Sequence, residues 1–79
     1  MSNINLDKVP LNIPVKMIYI KSDFENKKRL IELGFTEGCE IIPVHISPLG
    51  DPTAYSIRGT IIALRREDAK NIIVNLKEV

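Results

Sequence analysis

Cys39 and His45 are the single thiol and the single imidazole of the chain, so they bound both its soft-metal chemistry and its nucleophilic chemistry. Soft-metal sites need clustered Cys and His at short spacing, and one of each, with neither CxxC nor HxxxH, falls short of that pattern. A nucleophilic thiol needs a base within hydrogen-bond reach. Six positions separate the two residues on one predicted strand, about 20 Å if the strand is fully extended, so His45 cannot activate Cys39. Cys39 therefore reads as a small, half-buried residue opening a strand. An intersubunit metal site drawing on His45 or Cys39 is the one soft-ligand arrangement left open.

The carboxylates are no closer to a catalytic set. Glu67 and Asp68 fit a helix start and Asp51 a turn, while Glu37 and Glu40, which straddle the Gly38 turn, leave open an all-carboxylate metal site with Asp51 on a neighbouring loop, placements that turn chemistry and solvation also explain. The metal ligands, if any, are unknown at this level. None of Gly34, Gly38, Gly50 or Gly59 belongs to a Gly-rich loop ending in Lys and Ser or Thr, so the chain has no phosphate cradle of its own. These residue types point away from catalysis and toward contact.

Two features suit contact. Lys27-Lys28-Arg29 and Arg65-Arg66 are basic clusters, read either as a solvated surface nearly cancelled by Glu25, Glu32, Glu67 and Asp68 or as an electrostatic docking patch. The runs Ile61-Ile62-Ala63-Leu64 and Ile72-Ile73-Val74 put hydrophobes on both faces of their strands, and one barrel interior cannot hold both. Either the helical and N-terminal segments cover the outward residues, or Ile62 and Ile73, joined by Leu49 at a loop tip, form a partner or self-association surface.

Strands must position these residues. Thirteen Ile against three Ala is a strand-rich balance, because β-branched side chains suit a pleated surface better than a helix. Five strands are predicted: Pro14 to Ile20, Cys39 to Ile46, Ala54 to Arg58, Thr60 to Leu64 and Asn71 to Leu76. In the first, Val15, Met17 and Tyr19 are expected on one face and Lys16, Ile18 and Ile20 on the other. Pro43 lacks a ladder donor and marks a bulge or an edge. One segment has a helical period, Phe24 to Leu33, with a capping box at Ser22 to Glu25 and a Schellman stop at Gly34-Phe35. A second helical turn is expected at Arg66 to Lys70, and Ser47 to Pro52 reads as a turn-rich loop exposing Leu49.

The chain has 79 residues, 11 Lys+Arg against 10 Asp+Glu, and 44% hydrophobic residues, which describes one small domain over residues 9–79 after a flexible N-terminal tail, Met1 to Lys8. A lone cysteine rules out a disulfide within the chain and suits a reducing cytoplasm. No run reaches the length of a membrane span, and no positive charge precedes Lys8 as a secretory signal requires. A net charge of +1 and four aromatics supply neither a field nor stacking platforms for nucleic acid.

The blocks Arg29-Leu30-Ile31-Glu32-Leu33-Gly34-Phe35, Glu37-Gly38, Pro48-Leu49-Gly50-Asp51-Pro52, Ile57-Arg58-Gly59 and Ala63-Leu64-Arg65-Arg66-Glu67-Asp68-Ala69, in this order and spacing, closely resemble the FeoA family. The chain departs from the family pattern at Cys39, Pro43 and Thr60. The resemblance implies a mainly β, SH3-like barrel, and a cytoplasmic, non-enzymatic accessory of ferrous iron uptake that docks on the membrane GTPase-permease FeoB. The same domain type resembles the C-terminal module of iron-dependent repressors, so a metal-responsive regulatory module is the alternative. The resemblance calls for no cofactor beyond a transient iron or other divalent metal, no nucleic acid and no membrane insertion. The expected partner-binding residues are Leu49, Asp51, Arg58, Arg65, Arg66, Ile62 and Ile73.

Overall fold

The β-branched residues form one antiparallel sheet. The computed structural model describes residues 3–21, 23 and 25–76, with β1 (Asn3–Asn5), a 3-10 turn (Leu6–Lys8), β2 (Val15–Ile20), α1 (Lys27–Glu32), β3 (Glu40–Ile46), β4 (Thr53–Ile57), β5 (Thr60–Leu64), α2 (Arg66–Ala69) and β6 (Ile72–Leu76) in chain order. The strands lie in the order β1-β6-β2-β3-β4-β5. The five expected strands are present to within a residue at each end. The sixth, β1, lies in the segment read as a flexible tail: Asn3, Ile4 and Asn5 pair with Asn75, Val74 and Ile73, and Leu6 is wholly buried. Asn-Ile-Asn is too short to show a period, and the strand that holds it lies at the other end of the chain.

Two bulges set which side chains face inward. Between Met17 and Tyr19 the register of β2 against β6 shifts, so Val15 and Met17 are buried before the shift and Ile20 after it, while Tyr19 turns out to solvent. The strict alternation expected for this strand breaks at Ile18 for that reason. In β3 the register shifts between Pro43 and His45, the bulge its proline predicts. Pro43 sits opposite Tyr55, whose own backbone groups face Ile62 on the other side, so the ladder asks for no donor at Pro43. Its carbonyl accepts from the Asn12 N–H at 2.6 Å.

The β4–β5 connection is a two-residue hairpin in which Ile57 pairs with Thr60. Arg58 and Gly59 both have positive φ, 52° and 79°, as a type I′ turn requires. Arg58 was expected inside a strand; it instead occupies the first turn position, where Asn or Gly is the usual choice.

The end of α1 follows its sequence. Gly34 (φ 114°) donates to the Ile31 carbonyl at 3.0 Å and Phe35 to the Leu30 carbonyl at 3.1 Å, the paired bonds of a Schellman motif. Leu30 and Phe35 are both wholly buried and share the core with Leu6, Ile41, Ile57 and Ile72. Each such side chain contributes roughly 1.5–3 kcal/mol of burial. The start of α1 differs: it begins at Lys27 rather than Phe24, with Asn26 as N-cap making no side-chain cap bond. The Asn26 amide instead donates to Asp68 Oδ1 at 3.3 Å. The expected capping box involves Ser22, and Ser22 and Phe24 lie outside the described residues.

Candidate interaction surface

The loop between β3 and β4 is a built structure. Gly50 donates to the Ser47 carbonyl at 2.7 Å and Ser47 to the Pro52 carbonyl at 3.0 Å, and the Asp51-Pro52 peptide is cis. The loop is also tied to α2: Asp51 Oδ1 accepts from the Arg66 N–H at 2.9 Å, and Arg66 Nη2 donates to the Gly50 carbonyl at 3.4 Å. A carboxylate from a distant loop thus satisfies a free donor at a helix start, the role a local cap would otherwise fill. What remains outward at the tip is Leu49, 94% exposed, with Arg65 exposed beside the helix start.

Arg58 stands at the far end of β5 from Arg65. Its Nη2 donates to Thr36 Oγ1 at 2.9 Å, and its Cδ lies 3.7 Å from the position a Cβ on Gly34 would take. The guanidinium is therefore held over the end of α1 by a neutral partner. Arg58 also lines a cavity of about 330 Å³ with Cys39, Glu40, Ile42, Ser56 and Gly59. Cys39 is buried at this cavity, whereas His45 is exposed on the bulged stretch of β3. Among the described residues no three His, Cys, Asp or Glu side chains converge, and no helix is long and apolar enough to cross a membrane.

Of the expected contact residues, Leu49, Asp51, Arg65 and Arg66 come together on the loop–α2 junction, and Arg58 lies apart. Ile62 is half-buried and Ile73 buried. Ile62 packs against the core, and Ile73 is 7% exposed, lying opposite Asn5 of β1 and Tyr19 of β2. The outward residue of β5 is Ile61, 60% exposed. In β5 the outward position falls one residue from Ile62, because a run of four apolar residues carries no alternation to fix the phase.

Two features escaped sequence reasoning. Arg29 Nη2 meets Asp68 Oδ2 at 2.9 Å, joining α1 to α2 around a carboxylate only 8% exposed; their separation along the chain left no local signal. Tyr55, buried in β4, has its phenol pushed up to about 12 chiefly by that burial, with a side-chain hydrogen bond to Thr53 offsetting part and the carboxylates of Asp7 and Asp51 adding to the rise.

Residues 4–76 match the FeoA domain model. A segment of 50 residues, 63% of this chain, is 46% identical to part of the Fe(2+) transport protein A/Fe(2+) transporter FeoB fusion protein of Porphyromonas gingivalis, and spans 6% of that protein's length. The structure is similar to that of the FeoA-like protein from Clostridium acetobutylicum, with a TM-score of 0.90, 32% identity, and coverage of 96% of this chain and 88% of the other. It is also similar to zinc-complexed FeoA of Stenotrophomonas maltophilia, described as a prokaryotic SH3 domain protein and proposed there as a ferrous iron transport activating factor (TM-score 0.80, 30% identity, 91% and 89% coverage). Six antiparallel strands, the Schellman-stopped helix and a family match over nearly the whole length agree: the chain belongs to the FeoA domain family.

Proposed function

We propose that this chain is a cytoplasmic, non-catalytic module of ferrous iron uptake that docks on a FeoB-type membrane GTPase and modulates its nucleotide cycle or assembly. The observation that carries this reading is the Porphyromonas gingivalis protein, in which a segment 46% identical to this chain is continuous with a FeoB transporter. Covalent fusion holds two modules at high effective concentration, which is useful only if they act together. The contacts assigned are Leu49, Arg58, Arg65 and Arg66, with Asp51 as the residue that anchors the loop to α2. A surface of exposed Arg beside one exposed Leu suits electrostatic steering followed by a small apolar contact.

A purified FeoB-type partner, assayed for GTP hydrolysis and for capture with and without this protein, tests the reading. Binding that weakens with salt and is lost in Arg65→Glu is the expected result. Unchanged hydrolysis together with no capture at low salt would remove the docking role, and stoichiometric ferrous iron or zinc uptake without capture would favour the metal-responsive alternative.

A further inference from the structure

The register of the β4–β5 hairpin determines which backbone groups of β5 are used. Ile57 and Thr60 flank a two-residue turn, so they form a hydrogen-bonded pair, and the antiparallel alternation makes Tyr55–Ile62 and Thr53–Leu64 the next such pairs. Ile61 and Ala63 sit opposite Ser56 and Ala54 at the positions between, with N–H and C=O directed away from β4. The sheet order ends at β5, and among the described residues no turn or loop backbone bond reaches Thr60–Leu64.

Natural sheet edges are normally blunted by brevity, a bulge, a proline or a charge within the strand. The opposite terminal strand, β1, is three residues long and turns at once into Leu6–Lys8. Strand β5 has five residues, Thr-Ile-Ile-Ala-Leu, in unbroken register with β4, and Ile61 is 60% exposed. Arg65 follows it directly and is exposed, whereas Arg58, before it, is turned to Thr36. The nearby Asp51 accepts from the Arg66 N–H.

We propose that the free edge of β5 accepts, as a seventh strand, an extended peptide segment carrying an acidic side chain beside Arg65. Main-chain bonds to Ile61 and Ala63 supply the attachment, as in other strand-addition complexes, and Arg65 selects the acidic end. A second copy of this chain is the poorer occupant, because its own β5, Thr-Ile-Ile-Ala-Leu, carries no acidic side chain to meet Arg65. The inference rests on the docking reading for the existence of a protein partner and adds the mode of contact.

The test uses the full chain and two blocked heptapeptides of alternating Val and Thr, one with Glu at both ends and one with Lys. Followed by NMR, the Glu-ended peptide is expected to shift the Ile61 and Ala63 amides saturably and slow their hydrogen exchange at least tenfold, with the Lys-ended peptide at least fivefold weaker. Ala63→Pro removes one outward donor and leaves the β4 ladder intact, and is expected to weaken binding about tenfold. N-methylation of Ala63 by chemical synthesis makes the same deletion if the proline disturbs folding. Arg65→Ser should abolish the preference between peptides, and Arg58→Asn, which keeps the turn, should leave it in place. No response at those two amides at millimolar peptide, or an equal response to both peptides, overturns the inference. So does protection of the same amides that rises with protein concentration alone, which would assign the edge to a second copy. Capture of the GTPase that survives N-methylation of Ala63 leaves docking standing and removes the edge; peptide binding without capture does the reverse.

Discussion

The two flanks of the sheet are finished differently. At the β1 end the terminal strand is three residues long and is followed by the buried Leu6, while α1 and α2 are joined by Arg29, Asn26 and Asp68. On the side of β5, an uninterrupted strand carries an exposed isoleucine, two outward amides and an arginine beyond each end. One end of the sheet is short and leads into the core, and the other keeps outward backbone groups that no turn or loop backbone among the described residues meets. The difference separates where stability resides from where recognition can occur.

Substitutions sharpen that division by size. Leu30→Ala removes a wholly buried side chain from the Schellman clasp and should cost about 3 kcal/mol by urea unfolding, within the usual range for buried leucine. A loss under about 1 kcal/mol would show that the helical flank is not where stability lies.

The next effect belongs to Tyr55, on the strand that joins the flanks. Its phenol ionises near 10.0 when unfolded and at about 12 when folded. Its contribution is complete below pH 10, declines as the unfolded chain alone releases a proton, and is gone once the pH has passed 12. The total is on the order of 2 to 3 kcal/mol. Tyr55→Phe should flatten this part of a stability profile measured from pH 9 to 12; an unchanged slope would break the assignment.

The ion pair is asymmetric, and its two deletions should differ. Arg29 is half exposed and Asp68 nearly buried, with side-chain accessibilities of 49% and 12%. Arg29→Ala strands a carboxylate with only Asn26 as partner and should cost about 2 kcal/mol, whereas Asp68→Ala leaves an arginine that water can solvate and should cost about 1 kcal/mol. The reverse order would mean that the pair does not act through burial of Asp68. On the loop, Asp51→Ala frees the Arg66 N–H and should cost about 0.5 to 1 kcal/mol. Smallest is Ile61→Thr on the open edge, where a thermal scan should find a change below about 0.5 kcal/mol; a larger loss would place β5 with the stabilising flank.

What could be read from the sequence was what local chemistry decides. The stop at Gly34-Phe35 and the bulge at Pro43 each need only a few neighbouring residues to specify a backbone path, and each was legible. The misses were set at long range. Asn3–Asn5 becomes a strand because β6 offers it a ladder, Arg29 finds Asp68 across the fold, and the inward member of Ile61-Ile62 is chosen by pairing with β4. Of the proposed contact surface, the β3–β4 loop and its exposed Leu49 were legible through turn residues, while the tie of that loop to α2 through Asp51 was not. The outward face of β5 was not, because consecutive hydrophobes conceal their own phase.

The pairing of Asn3 with Asn75 has a kinetic side. Closing nearly the whole chain into one ladder carries the largest loop entropy in the molecule, and such contacts form after local ones have reduced the search. The β4–β5 hairpin, with its two-residue turn, is positioned to form early, and β1 to lock last. The same pairing brings the two ends of the described chain side by side, so a circular permutant that joins them by a short linker and opens at the solvent-exposed Leu49 tip would keep every strand pair while exchanging the slowest closure for a local one.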